Sequence, residues 1–400
     1  MSGVDIAPIP FHRPFIGKEE EEAVLRVLRS GWLTTGAETL AFEKEFAAFL
    51  TAEGAAPPRA LAVNSATSGL HLALEALGAG PGDLVFVPSL TFTSTAEVVR
   101  YLGADPVFVD IGRDSFNIDP AALEAAIIGA FRAGDKRPKA VIPVHYGGVP
   151  CDMTAINALA RRNGLSVVED AAHTLPVNGG KTPGGDVSVF SFYATKPVTT
   201  GEGGMAVTAC DKLADRIAVM RSHGIDRSIW NRYTDTDASW YYQVTAAGFK
   251  YNLPDLLAAL GRVQLGRAVQ LLEMRRAIAA AYNEAFSPLG EFITPKENDA
   301  WHLYPLRLRN PGPAGPRGGS RRNALIENLR RQGIGASVHF IPLHIMPYYK
   351  ERYHLEAASL PLTMECFNSL VSLPIWPGMS EEQTGRVIEA VKTGMGNLDA

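Results

Sequence analysis

Between about residues 60 and 225 the chain alternates short apolar runs, rich in β-branched residues, with stretches of helical period. Ala60-Leu61-Ala62-Val63 precedes Ser68-Gly69-Leu70-His71-Leu72-Ala73-Leu74, and Leu84-Val85-Phe86-Val87 precedes Thr95-Ala96-Glu97-Val98-Val99. Pro106-Val107-Phe108-Val109, Ala140-Val141-Ile142-Pro143-Val144 and Ser166-Val167-Val168 keep the rhythm, with helical patterns such as Met153–Asn163 between them. Short runs without strict polar alternation are strands buried on both faces, and helical spacers between them predict parallel crossovers. The expected fold class is α/β, an open wound sheet that is mainly parallel and wrapped by helices.

After Pro254 one long helical pattern, 255–282, is expected to carry the chain out of this large domain. The remainder reads as a smaller α+β unit, with strands at His302-Leu303-Tyr304-Pro305-Leu306-Arg307-Leu308 and Ala336-Ser337-Val338-His339-Phe340. Its helices are expected at 323–331 and 381–392, and the proline- and glycine-rich stretch 311–319 as a surface loop. The division is therefore 1–254 for the large domain and 255–400 for the linking helix and small domain. The segment 226–242, rich in Trp and Tyr yet polar overall, reads as a ligand or subunit contact.

A chain of 400 residues with 46% hydrophobic and 20% charged residues has the size and composition for two globular domains. A net charge of -4 without a long Lys/Arg run gives no reason to expect a nucleic-acid partner. Cys151, Cys210 and Cys366 are scattered, without the spacing of a metal site or a disulfide framework. No apolar run approaches the ~18 residues that span a bilayer, and residues 1–15 lack a signal-peptide core. The expectation is a cytoplasmic protein with no membrane segment and no metal.

Chemistry concentrates at two strand ends. Val167-Val168-Glu169-Asp170-Ala171-Ala172-His173 puts an acid at the end of one apolar run. Phe190-Ser191-Phe192-Tyr193-Ala194-Thr195-Lys196 puts a lysine just after the next, followed by Gly201-Glu202-Gly203-Gly204. Alone, Asp170 could cap a helix and Lys196 could be a solvated loop lysine. Together, on neighbouring strands, they are what pyridoxal phosphate requires: a carboxylate to keep the pyridine nitrogen protonated, and an amine to form a Schiff base with the aldehyde. A lysine desolvated there is the better nucleophile. Asn64-Ser65-Ala66-Thr67-Ser68-Gly69, between a strand and a helix, supplies backbone N–H groups and hydroxyls for a phosphate, or a plain N-cap. Phe92, just past a strand end, is placed either to stack on a planar cofactor or to fill core.

These motifs, in order, resemble the DegT/DnrJ/StrS family of nucleotide-sugar aminotransferases, which has the aspartate-aminotransferase fold (PLP-dependent fold type I). The likeness opens with Ser30-Gly31-Trp32-Leu33-Thr34-Thr35-Gly36 and runs through Ala66-Thr67, the Asp170 and Lys196 segments and Gly248-Phe249-Lys250-Tyr251-Asn252-Leu253-Pro254-Asp255. It closes with Trp301-His302-Leu303-Tyr304 and Ser372-Leu373-Pro374-Ile375-Trp376-Pro377-Gly378. The resemblance implies that Lys196 carries the cofactor, Asp170 pairs with its ring nitrogen, His173 lies by its phenolic oxygen and Phe92 stacks on the ring. Ala66, Thr67 and Ser191 would hold the phosphate, and Asn252 would reach the cofactor phosphate of a neighbouring subunit, implying a homodimer with shared sites. Trp32, Thr34 and Thr35 would lie near the substrate.

The activity this resemblance implies is transamination of a nucleotide-linked keto sugar by an amino acid donor, L-glutamate by resemblance, cycling pyridoxal 5'-phosphate and pyridoxamine 5'-phosphate. Lys196 stands where related sugar 3-dehydratases carry histidine, which favours amination over deoxygenation. His173, where many members carry glutamine, and Lys250-Tyr251-Asn252-Leu253 look like enzymes that aminate carbon 4 of a UDP-linked 4-keto sugar. The alternatives are a lyase or dehydratase on the same scaffold and a regulatory protein without turnover. Residues 339–349 also bear on specificity, with His339 and His344 either touching substrate or simply packing.

Overall fold

The computed structural model describes residues 7–113, 115–175, 184–226, 240–296 and 300–399. Most of the segment 226–242 lies outside them.

Two helices, α1 (Lys18–Ser30) and α2 (Ala37–Leu50), precede the sheet. Gly31, at φ 75, closes α1 in the left-handed cap conformation that glycine adopts without a Cβ penalty. The N-cap of α2 is Gly36, which has no side chain to offer, so Asp255 does the capping from far along the chain. Its Oδ1 accepts from Gly36 N (2.7 Å), Thr39 N (2.9 Å) and Thr39 Oγ1 (2.7 Å).

The main sheet contains β1 (Arg59–Val63), β2 (Asp83–Pro88), β3 (Asp105–Val109), β4 (Arg137–Val141), β5 (Ser166–Asp170), β6 (Val187–Ser191) and β7 (Gly204–Thr208). Their spatial order is β1–β7–β6–β5–β4–β2–β3. Helices α3 (Ala66–Ala76), α4 (Ser94–Tyr101), α5 (Pro120–Ala133), α6 (Met153–Asn163) and α7 (Asp211–Met220) accompany it. The pairs within β2 to β6 are parallel, as the helical spacers predict. β7 runs antiparallel to both β6 and β1, because the β6–β7 connection is a helix-free turn that brings the chain straight back. Residues such as Val85, Val87, Val168 and Val189 are fully buried between the sheet and its helices, which is why their runs show no polar alternation.

The expected single helix over 255–282 is two helices, Asp255–Gly266 and Ala268–Phe286, broken at Arg267 (φ -100, ψ 1). Gly266 weakens the helix there, and the Arg267 guanidinium is held by Glu20 at 2.8 Å. The apolar period continues through the break, so the pattern could not reveal it. The first helix packs Ala258 and Ala259 against α1 and α2. The second buries Leu272, Ile278, Tyr282 and Phe286 in a separate core that also takes in Ile9.

That second core covers an antiparallel sheet of β8 (Phe292–Ile293), β9 (Tyr304–Leu308) and β12 (Leu370–Leu373), in the order β12–β9–β8. Helices Ser320–Arg331 and Glu381–Asp399 enclose the expected helical segments. Two expectations are corrected. Residues 336–340 are not a strand: Ser337 makes one bridge with Ser372, and the chain then turns away so that His339 and Phe340 reach a cavity at the strand ends of the main sheet. Residues 311–319 are not merely loop: they carry the hairpin of β10 (Ala314–Gly315) and β11 (Gly318–Gly319), with both β11 glycines buried. Among the described residues no helix is long and apolar enough to cross a membrane.

Candidate active site

The C-terminal ends of the parallel strands, where an open α/β sheet places its ligand crevice, frame a cavity of about 500 Å³. Asp170 is the last residue of β5 and is buried. One carboxylate oxygen accepts from Thr95 Oγ1 at 2.8 Å and the other from Ala172 N at 3.2 Å. Thr95 is linked in turn to Thr91 at 2.8 Å. Burial pushes the Asp170 carboxyl's proton affinity up, while these donors, Lys196 and His145 pull it down.

Lys196 follows β6 on a tight turn closed by its own N–H to Tyr193 O (2.9 Å). Burial lowers its ammonium pKa to about 8, against the opposing pull of Asp170. The amine lies 3.4 Å from Nε2 of His302. His173 accepts from Gly147 N at Nδ1 (3.1 Å), which places its own proton on Nε2 as a free donor. Burial, reinforced by Lys196, keeps both His173 and His302 neutral, well below the ordinary imidazole range.

Opposite lies the first turn of α3. Ser65 caps it by accepting from Ser68 N at 3.1 Å, and Ser65, Ala66 and Thr67 line the cavity. The N–H groups of Ala66 and Thr67 belong to a helix start and have no intrahelical acceptor. β7 begins hard against this turn: a Cβ on Gly204 would meet Ala66 N at 2.7 Å, so the glycine is required by close approach. Ser191 and Phe92 also line the cavity, Phe92 being 56% exposed.

The structure thus brings Lys196, Asp170, His173, Ala66, Thr67, Ser191 and Phe92 around one cavity. It does not bring Trp32, Thr34, Thr35 or Asn252 to it. These four sit together elsewhere: Asn252 Nδ2 donates to Thr35 Oγ1 (2.7 Å), Lys250 donates to Asn252 Oδ1 (2.7 Å), and Trp32 Nε1 donates to Thr35 O (3.3 Å). His339 lines the cavity, stacked on Phe11, with its carbonyl accepting from the Tyr146 hydroxyl. His344 does not: it is buried and bonded to Ser89 Oγ at 2.7 Å, a packing role. Sequence reasoning missed Thr95, His302 and His12. His302 lies in the Trp301–Tyr304 motif, whose pattern gives it no role, and nothing local marks His12, which enters from the amino-terminal segment.

Pyridoxal phosphate fits this donor set. A buried carboxylate is available for a ring N–H, an imidazole N–H for an oxygen anion, a helix start with hydroxyls for a phosphate dianion, and a desolvated amine for an aldehyde.

Comparison with known proteins agrees. The model of the DegT/DnrJ/EryC1/StrS aminotransferase family matches residues 14–392. The spore coat polysaccharide biosynthesis protein SpsC of Bacillus subtilis is 45% identical over 392 residues, 96% of each chain. Spr1654 of Streptococcus pneumoniae, solved in a PMP form and a PLP form, superposes with a TM-score of 0.86 in the first, at 29% identity over 98% of this chain and 100% of that one. Helicobacter pylori PseC, an aminotransferase involved in pseudaminic acid biosynthesis, gives 0.84 at 28% identity, over 98% of this chain and 100% of its own.

Proposed function

The chain belongs to the DegT/DnrJ/EryC1/StrS aminotransferase family and is a pyridoxal phosphate-dependent sugar aminotransferase, and on that premise we propose that it moves the amino group of L-glutamate to carbon 4 of a UDP-linked 4-keto sugar. The observation that carries the amination chemistry is the buried Lys196 amine, with its pKa drawn to about 8, in one cavity with Asp170. The C-4 assignment is supported by His173 and by Lys250-Tyr251-Asn252-Leu253, residues that resemble those of C-4 aminating enzymes.

When bound, the cofactor supplies an electron sink for the charge that develops on the carbon losing its proton. The protein's residues do the rest. Lys196 Nζ takes that proton from the carbon bearing the donor's nitrogen, and in the reverse half returns one to the sugar carbon. Asp170, fixed by Thr95 and Ala172, would hold the proton on the ring nitrogen. His173, with its tautomer set by Gly147, would offer its Nε2–H to the ring oxygen. Ser65, Ala66, Thr67 and Ser191, which line the cavity, would hold the phosphate, and Phe92, on the same cavity, would pack against the ring.

Asn252 and the Trp32–Thr35 loop are assigned to the site of a second subunit, which makes the working unit a homodimer. Their mutual hydrogen bonds and their position off this chain's cavity support that reading. The test is a panel of UDP-, dTDP- and GDP-linked keto sugars with glutamate as donor. Amination confined to a UDP-4-keto sugar is the expected outcome, and preference for another nucleotide or a 3-keto sugar refutes the finer assignment.

A further inference from the structure

His302 is the one hydrogen-bond partner of Lys196 Nζ among the described residues, at 3.4 Å. That distance is long, as contacts around a reacting group are before substrate is bound. The backbone that delivers His302 is held on three sides. Trp301, just before it, has φ 45, a left-handed conformation unfavourable for a bulky residue, and strain of this kind persists only where the surroundings impose it. Its carbonyl accepts from Nη1 of Arg275 at 3.2 Å; Arg275 is wholly buried and also donates to Ile375 O, on the cavity wall, at 2.7 Å. His302 N donates to Gly147 O (3.2 Å), and the N–H of that same Gly147 fixes His173. The two imidazoles lie with ring centroids 4.3 Å apart, both pinned to one glycine at φ 64.

We propose that His302 is a catalytic residue that accepts a hydrogen bond from the Lys196 ammonium through Nε2, holding the amine in place and raising its proton affinity whenever it is released from the cofactor. An ammonium only donates, so Nε2 must be unprotonated and the imidazole proton sits on Nδ1. A second proton on His302 is opposed by burial and by Lys196, His173, Arg275 and His339, in that order. Lys196 itself faces Asp170, and His12 feels its charge from the amino-terminal segment. His302 thereby offsets part of the desolvation that weakens Lys196 as a base, and it keeps Nζ in place without a bond that must be broken at each turnover.

The inference rests on Lys196 being the cofactor-bearing amine, but its test reads the amine directly. Full-length wild type, His302→Gln and His302→Leu are acylated with acetic anhydride across a pH series, and Lys196 modification is followed by peptide mass mapping. One set is first treated with glutamate to free the amine, and a second is stripped of cofactor. The expected midpoint is about 8 in wild type. It falls by about one pH unit in His302→Leu, which lacks an acceptor, and by only a few tenths in His302→Gln, which keeps one. Coincident curves for wild type and His302→Leu, or equal shifts in both variants, overturn the proposal. If glutamate fails to expose Lys196, the amination reading fails while the stripped set still judges His302. A measurement free of substitutions is the ¹⁵N spectrum of the stripped wild type: His302 as the Nδ1–H tautomer is expected, and the Nε2–H tautomer contradicts it.

Discussion

Thr95 donates its hydroxyl to Asp170 at 2.8 Å from a wholly buried position at the start of α4, and so sets the orientation of a carboxylate that lines the cavity. A hydrogen bond to a buried charged group is worth about 1.5–3 kcal/mol. Thr95→Val is therefore expected to lower kcat/KM by about tenfold to a hundredfold, with Thr95→Ser close to wild type. Steady-state kinetics of both variants check this, and a Thr95→Val enzyme with full activity would show that Asp170 needs no such support.

Asp255 gives a prediction about stability. It caps α2 across the fold and also orders the turn that holds Thr35 and Trp32. Asp255→Ala leaves the N–H groups of Gly36 and Thr39 buried without a partner, at a cost of about 2 kcal/mol. Denaturant unfolding measures that loss, and Trp fluorescence should report loosening around Trp32.

The pH dependence of cofactor-free protein follows from Lys196. Its pKa is about 8 in the folded chain and 10.5 when unperturbed. Between those values the unfolded chain holds the extra proton, so stability rises with pH there, and the penalty for burying the ammonium is fully present below pH 8. The full span is worth about 3 kcal/mol. Melting curves of wild type against Lys196→Met should diverge by that dependence, and parallel curves from pH 7 to 10 would mean that the lysine is not desolvated.

Shared sites predict complementation. Asn252→Ala should weaken cofactor retention, and Lys196→Ala should abolish turnover. Refolding the two together should recover partial activity, because one site per mixed dimer then has both residues. No recovery would assign Asn252 to its own chain.

The legible part of this molecule is the part built from strand ends. Asp170, Lys196 and the Ala66-Thr67 turn could be placed because a buried parallel strand shows its length in the sequence, and its C-terminal end is where ligands bind. His302 and His12 were not legible as site residues: each reaches the cavity from another part of the chain, through contacts such as Arg275 to Trp301 and Trp376 to Pro10. The break at Arg267 was hidden because apolar periodicity continues across it. Residues 336–340 had the composition of a strand, yet the Tyr146 hydroxyl and Phe11 hold His339 at the cavity.

The most direct measurement is borohydride reduction of the protein loaded with pyridoxal phosphate, followed by peptide mass mapping. A single reduced pyridoxyl group on Lys196 is the expected result. A tag on another lysine, or none after loading, would contradict the assignment on which the rest depends.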